Sequence, residues 1–194
     1  MIKINIKKLE KITGYKIAKG FTTIGLDIAT KTGYAILTTD QKNVILDVGF
    51  IEFDKSTDHQ RYKQFYTAFK ELITTQDLTV IEDTFLGRNP NGMKQLTRFG
   101  TFAIATCIDK RVPYEIIGAA SARAKLKIDS RKFGKGKSKL AVADYLKTKL
   151  DIDLGMDLND VSDAIVLAIL GLCRDMDFRS DAEIKKDEKN KSKK

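Results

Sequence analysis

Three β-rich runs joined by short polar turns, Thr23–Ala29, Gly33–Thr38 and Val44–Phe53, constrain the fold more than any other feature of this sequence. Runs of this length and spacing form an antiparallel meander. The pattern then changes period. From His59 to Thr74, Tyr62, Phe65, Tyr66, Phe69 and Ile73 fall on one face of an amphipathic helix. Leu78–Glu82 reads as a short buried strand, Met93–Asp109 as a helix and Pro113–Gly118 as another strand. Helical stretches follow near 119–127, 138–149 and 159–175. The order βββαβαβααα predicts an α/β domain: a mixed five-stranded sheet, three strands antiparallel and two parallel, with helices on both faces. Residues 1–21 alternate apolar and basic without a clear period and read as an N-terminal extension. Residues 22–178 form the domain, and 179–194 form a charged tail, nearly free of apolar residues and expected to be disordered.

Within this pattern, four carboxylates stand where apolar residues are expected. Asp27 interrupts the strand Ile24-Gly25-Leu26-Asp27-Ile28, and Glu82 ends Leu78-Thr79-Val80-Ile81. Central parallel strands are normally apolar on both faces, and burying a lone carboxylate costs on the order of several kcal/mol. Asp160 and Asp163 share one face of the last helix, which is otherwise apolar nearly all round. Taken singly, Asp160 would also suit the positive end of a helix dipole, with Asp157 or Asn159 as cap, and Glu82 could pair with a lysine. Asp27, flanked by buried-strand residues, is harder to explain structurally. If all four converge they form a hard oxygen site for Mg²⁺, with Mn²⁺ as a substitute. Two such ions, roughly 4 Å apart, suit in-line phosphodiester displacement by water.

The charge balance fits a polyanionic partner. Lys and Arg number 35 against 26 Asp and Glu, a net +9. The tail from Arg179 supplies +3 of this, from seven basic and four acidic residues, and would serve equally as a solubilising segment. No apolar run has the length of a membrane span, and the first residues lack the apolar stretch of a secretory signal, so a cytoplasmic protein is expected. Cys107 and Cys173 stand alone in apolar helices and read as buried free thiols. Gly136-Lys137-Ser138 ends like a P-loop, but Arg131 stands where the first glycine would fall, and no apolar strand leads in. This basic loop, with Lys135 and Lys137, suits phosphate contact at a helix start. Arg88, in the turn Arg88-Asn89-Pro90-Asn91-Gly92, together with Lys94 and Arg98 beyond it, would line a DNA channel. His59, the only histidine, has no nucleophile to serve and reads as a helix-start residue.

The acid-bearing segments resemble those of the RuvC-type Holliday junction resolvases, within the ribonuclease H-like superfamily, over about residues 22–175. The resemblance rests on Ile24-Gly25-Leu26-Asp27 followed by Thr32-Gly33-Tyr34, on Ile81-Glu82-Asp83-Thr84-Phe85, and on Asn159-Asp160-Val161-Ser162-Asp163-Ala164-Ile165. It implies a ribonuclease H-like fold and a homodimer making paired nicks in four-way junctions or other branched DNA. It also implies that Asp27, Glu82, Asp160 and Asp163 are the metal-binding catalytic acids. Phe85 falls where the family carries an aromatic that stacks on bases near the branch; it would serve equally as a core aromatic. Lys139 falls on a family lysine near the active-site phosphates, and Lys125 is a candidate for a second. Asp27 is followed by Ile28-Ala29-Thr30-Lys31 where the family usually has Pro-Gly, which suggests a divergent branch such as phages and mobile elements carry. Two rival functions stay open: a ribonuclease H acting on RNA–DNA hybrids, and a non-catalytic branched-DNA-binding protein of the same fold. An actin-like ATPase is excluded by length and by the lack of a second phosphate hairpin.

Overall fold

The computed structural model describes residues 2–52, 57–83, 90–134, 137–155, 161–179 and 184. The meander consists of β2 (Thr22–Asp27), β3 (Thr32–Thr39) and β4 (Asn43–Ile51). After α2 (Asp58–Leu72) come β5 (Leu78–Glu82), α3 (Pro90–Lys110) and β6 (Tyr114–Ile117). The chain closes with α4 (Ala119–Lys125), a 3₁₀ turn at Ser130–Phe133, α5 (Ser138–Leu150) and α6 (Ser162–Leu172). β2 is antiparallel to β3 and parallel to β5, and β5 is parallel to β6. The mixed α/β architecture expected from the sequence is therefore present.

One count differs. The sheet has six strands, not five, in the order β1-β4-β3-β2-β5-β6. The extra strand, β1 (Ile2–Asn5), pairs antiparallel with β4 from Ile2↔Leu46 to Asn5↔Asn43. The period changes within a few residues, which is why residues 1–21 show none. Ile2 and Ile4 belong to a strand, whereas Ile6, Leu9 and Thr13 are buried positions of helix α1 (Ile6–Thr13). Asn5 caps α1 by accepting from Lys8 N at 3.3 Å, and Gly14, with φ +79°, ends it in the left-handed conformation that glycine adopts without strain. The chain then reaches α6: Ala18 N donates to Leu172 O at 2.9 Å, and Arg174 N donates to Lys16 O at 2.8 Å. The extension thus covers an open sheet edge and joins the core.

Two apolar layers flank the sheet. On one side α2 and α3 pack through Phe65, Phe69 and Phe99 against Ile24, Leu26 and Ile81. Phe65 and Phe99 stack with ring centroids 3.8 Å apart. Thr57 and Gln60 cap each other at the start of α2, fixing the entry of its aromatic face. On the other side α6 lies across β2, β3 and β5, with α1, α4 and α5 around it. Every residue of α6 is buried, as its sequence implied. Among the described residues no helix is long and apolar enough to cross a membrane. Cys107 and Cys173 are buried free thiols.

Candidate active site

Strand alternation sets the site. Ile24 and Leu26 belong to the α2–α3 layer, so Gly25 and Asp27 face the opposite side, towards α6. On β5, Ile81 packs into the α2–α3 layer and Val80 against α6, which sends Glu82 to the α6 side as well. The parallel register pairs Gly25 with Val80 and Leu26 with Ile81, and Asp27 and Glu82 come one residue further along each strand. The two acids are therefore neighbours on one face, at the carboxyl end of two parallel strands.

α6 brings in the third acid. It runs antiparallel to β2 and so close to it that a Cβ on Gly25 would stand 2.0 Å from the carbonyl oxygen of Ala164. At its far end a Cβ on Gly171 would meet Thr23 Oγ1 at 2.3 Å. This seating fixes the first turn of α6, with Asp163, over the end of β2. Asp27 and Asp163 are 8% and 7% exposed, the two most hidden acids among the described residues. The turn after Asp27 is closed by Thr32: its Oγ1 donates to Ala29 O at 2.8 Å and accepts from Ala29 N at 3.2 Å.

The carboxyls feel one another. Glu82 is held well above the ordinary carboxylate range, chiefly by burial, then by a hydrogen bond with Asp27 and the charges of Asp27 and Asp163; Arg123 opposes this. Burial also raises Asp163, partly offset by Arg123 and, at longer range, by Lys139. Arg123 Nη1 donates to Asp163 Oδ1 at 2.9 Å, with side chains 14% and 9% exposed. Three hard oxygen groups thus meet, with Arg123 as the cation bound among them, a donor set suited to a divalent ion. Among the described residues no three acidic side chains stand in ligating geometry. Arg123 occupies one Asp163 oxygen, and Asp160 lies outside the described residues.

The other expected residues are distributed around this centre. Phe85, Arg88 and Lys135 lie outside the described residues, as does most of the tail. Lys139, in the first turn of α5, is exposed and lies close enough for its charge to act on Asp163. Lys137 is exposed and stands at the N-cap position of the same helix, with no side-chain capping bond. Lys125, on α4, exerts its charge on Asp177. Lys94 is exposed on α3, and Arg98 donates to Tyr62 Oη at 2.6 Å, tying α3 to α2. The residue that sequence reasoning missed is Arg123, two positions before Lys125. A hollow of about 1020 Å³ lies beside Lys31, Phe50 and Arg61 and is lined by none of Asp27, Glu82 and Asp163.

Residues 23–171 match the family model described as crossover junction endodeoxyribonuclease RuvC. The chain belongs to the RuvC family. It is accordingly a junction-resolving endodeoxyribonuclease, and all three described acids fall within the matched segment. The solved structures agree on the fold. Thermus thermophilus RuvC aligns with a TM-score of 0.60 at 12% identity, over 78% of this chain and 98% of that one. The T. thermophilus RuvC in complex with a Holliday junction substrate gives 0.59 at 11% identity, over 77% and 90%. The yeast mitochondrial Holliday junction resolvase Ydc2 gives 0.50 at 12% identity, over 83% and 81%. No curated protein matches by sequence. At these identities the shared fold and the family model carry the kinship, and RuvC-like roles for single side chains rest on this chain's own geometry.

Proposed function

We propose that this protein cuts branched DNA, four-way junctions above all, by metal-dependent hydrolysis at a centre formed by Asp27, Glu82, Asp160 and Asp163. The observation that carries this is the meeting of Asp27, Glu82 and Asp163 from two strands and a helix, the two aspartates buried and Glu82 half-buried, with the Arg123 guanidinium acting on both Glu82 and Asp163. A surface that only binds phosphates gains nothing from such a cluster, because its negative charge repels the ligand. The four carboxylates would hold Mg²⁺ or Mn²⁺, and the bound ions would supply an activated water and a counter-charge for the leaving 3′ oxygen.

The chain's own groups do the rest. Glu82, hydrogen-bonded to Asp27, holds its proton in the metal-free protein and must release it when the cation enters, so loading is favoured as pH rises. Lys139, whose charge reaches Asp163 from the start of α5, is placed to draw the scissile phosphate towards the acids. The loop before α5, with Lys135 and Lys137, would hold the backbone on either side. Paired nicks require two sites across a branch, and a homodimer supplies them.

Asp27→Asn tests the assignment. Cleavage of a four-way junction in Mg²⁺ should disappear while junction binding in EDTA stays intact or tightens, since a negative charge near the phosphate is removed. Loss of folding together with binding would make Asp27 structural, and undiminished cleavage would remove it from the centre.

A further inference from the structure

Beside the acid centre, α4, the following turn and the 3₁₀ segment enclose a hollow of about 460 Å³ lined by Ala120, Arg123, Ala124, Lys127, Asp129 and Arg131. Its charge is mainly positive. Asp129 is already matched by Arg131, with Arg131 Nε 3.0 Å from Asp129 Oδ1. Lys127, at φ +57°, is exposed on the turn that forms the wall. Arg123 is common to both places: it lines the hollow, and its Nη1 reaches Asp163 on the other side. A guanidinium carries five N–H donors in a planar fork matched to phosphate oxygens.

We propose that the hollow is a backbone-phosphate subsite for the cut strand, and that Arg123 has two positions: on Asp163 when the centre holds no cation, and in the hollow, on phosphate, when it does. This rests on the proposed nuclease centre. The physical basis is competition for one oxygen. A cation bound by Asp163 competes with Arg123 for Oδ1 and replaces the counter-charge that holds the half-buried guanidinium there. The displaced group needs an anionic partner, and the adjoining cationic hollow with a DNA phosphate in it provides one. Arg123 thus partly neutralises the acid cluster before loading and turns cation binding into tighter DNA binding, a coupling that must act equally in both directions.

The test measures junction affinity against salt, in Ca²⁺ to hold the centre loaded without turnover and in EDTA. In Ca²⁺, Arg123→Gln should lower the salt slope by about one, the loss of one phosphate contact. In EDTA, where the wild-type guanidinium is held on Asp163, the same variant should leave the slope unchanged. Calorimetry without DNA gives the other half. Arg123→Gln should bind Mn²⁺ on the order of tenfold more tightly than wild type, because one competitor for the oxygen is gone. Lys127→Gln removes the same charge without touching Asp163 and should bind Mn²⁺ as wild type does. Equal slope changes in Ca²⁺ and EDTA, or equal Mn²⁺ affinities in wild type and Arg123→Gln, would overturn the two-position account.

Should Arg123→Gln fail to fold, wild-type protein on junctions bearing single methylphosphonates near the cut decides. One neutralised phosphate should weaken binding in Ca²⁺ and not in EDTA, and the absence of any such position would sink the proposal. Failure of the underlying function looks different: wild type would show neither a preference for junctions nor cleavage in Mn²⁺.

Discussion

Gly25 lies directly beneath Ala164, so close that a methyl group on Gly25 would stand 2.0 Å from the Ala164 carbonyl oxygen and 2.6 Å from Ala168 N. Both of those obstacles are backbone, so neither can step aside by changing rotamer. α6 must lift off β2 to admit any side chain there. Asp27 and Asp163 are held together only because α6 is seated this deeply.

Gly25→Ala is therefore expected to damage site and fold together. Overpacking commonly costs about 1–3 kcal/mol, and a clash with rigid backbone falls at or above the upper end. Thermal unfolding should show a clear drop in Tm, and nuclease activity should fall further than the drop in folded fraction accounts for. An unchanged Tm would mean that α6 sits less tightly on the sheet than described.

The acid cluster predicts an unusual pH dependence of stability. Glu82 is raised in the folded protein, mainly by burial, so the folded state binds its proton more tightly than the unfolded chain does. Its contribution is fully present below the unfolded carboxylate value, about 4.3, and is lost as pH rises through the raised folded value. Asp163 is shifted in the same direction. In EDTA, Tm should decline from mildly acidic to alkaline pH, and Glu82→Gln should flatten that decline. Mg²⁺ or Mn²⁺ should flatten it as well, by supplying the missing counter-charge. A Tm in EDTA that rises with pH throughout would contradict the raised Glu82 and Asp163.

The N-terminal segment should be needed for folding even though the family match begins at residue 23. Ile4, Ile6, Leu9 and Ile17 are 0–3% exposed. Each contributes about 1.5–3 kcal/mol by burial, and a typical domain has only about 5–15 kcal/mol in total. Removing residues 1–21 also bares the edge of β4. The shortened chain should aggregate or unfold on expression. A soluble product with wild-type Tm would show the segment to be an appendage.

Much of this was legible in the sequence for a physical reason: buried charge is costly, so Asp27, Glu82 and Asp163 stood out against apolar surroundings before any fold was known. The helix and strand order was legible because α2 and α6 carry long, regular apolar patterns. What escaped did so for equally definite reasons. β1 is four residues long and runs straight into α1, so neither period has room to repeat. Arg123 and Lys125 lie about 80° to either side of the inward direction set by the buried Ala122 and Leu126, at 3.6 residues per turn. Periodicity cannot choose between two basic residues placed so symmetrically. The choice falls to Arg123 through the way α4 meets the start of α6, a tertiary relationship that no local pattern records.

The central claim is tested most directly by a strand-resolved nicking assay on end-labelled four-way junction, three-way junction, duplex and RNA–DNA hybrid, with Mg²⁺ or EDTA, using wild type and Glu82→Gln. The account predicts paired nicks near the branch in Mg²⁺ alone, absent from the variant and from plain duplex. Cutting confined to the hybrid would make the protein a ribonuclease H, and tight junction binding without cleavage in any metal would contradict the account altogether.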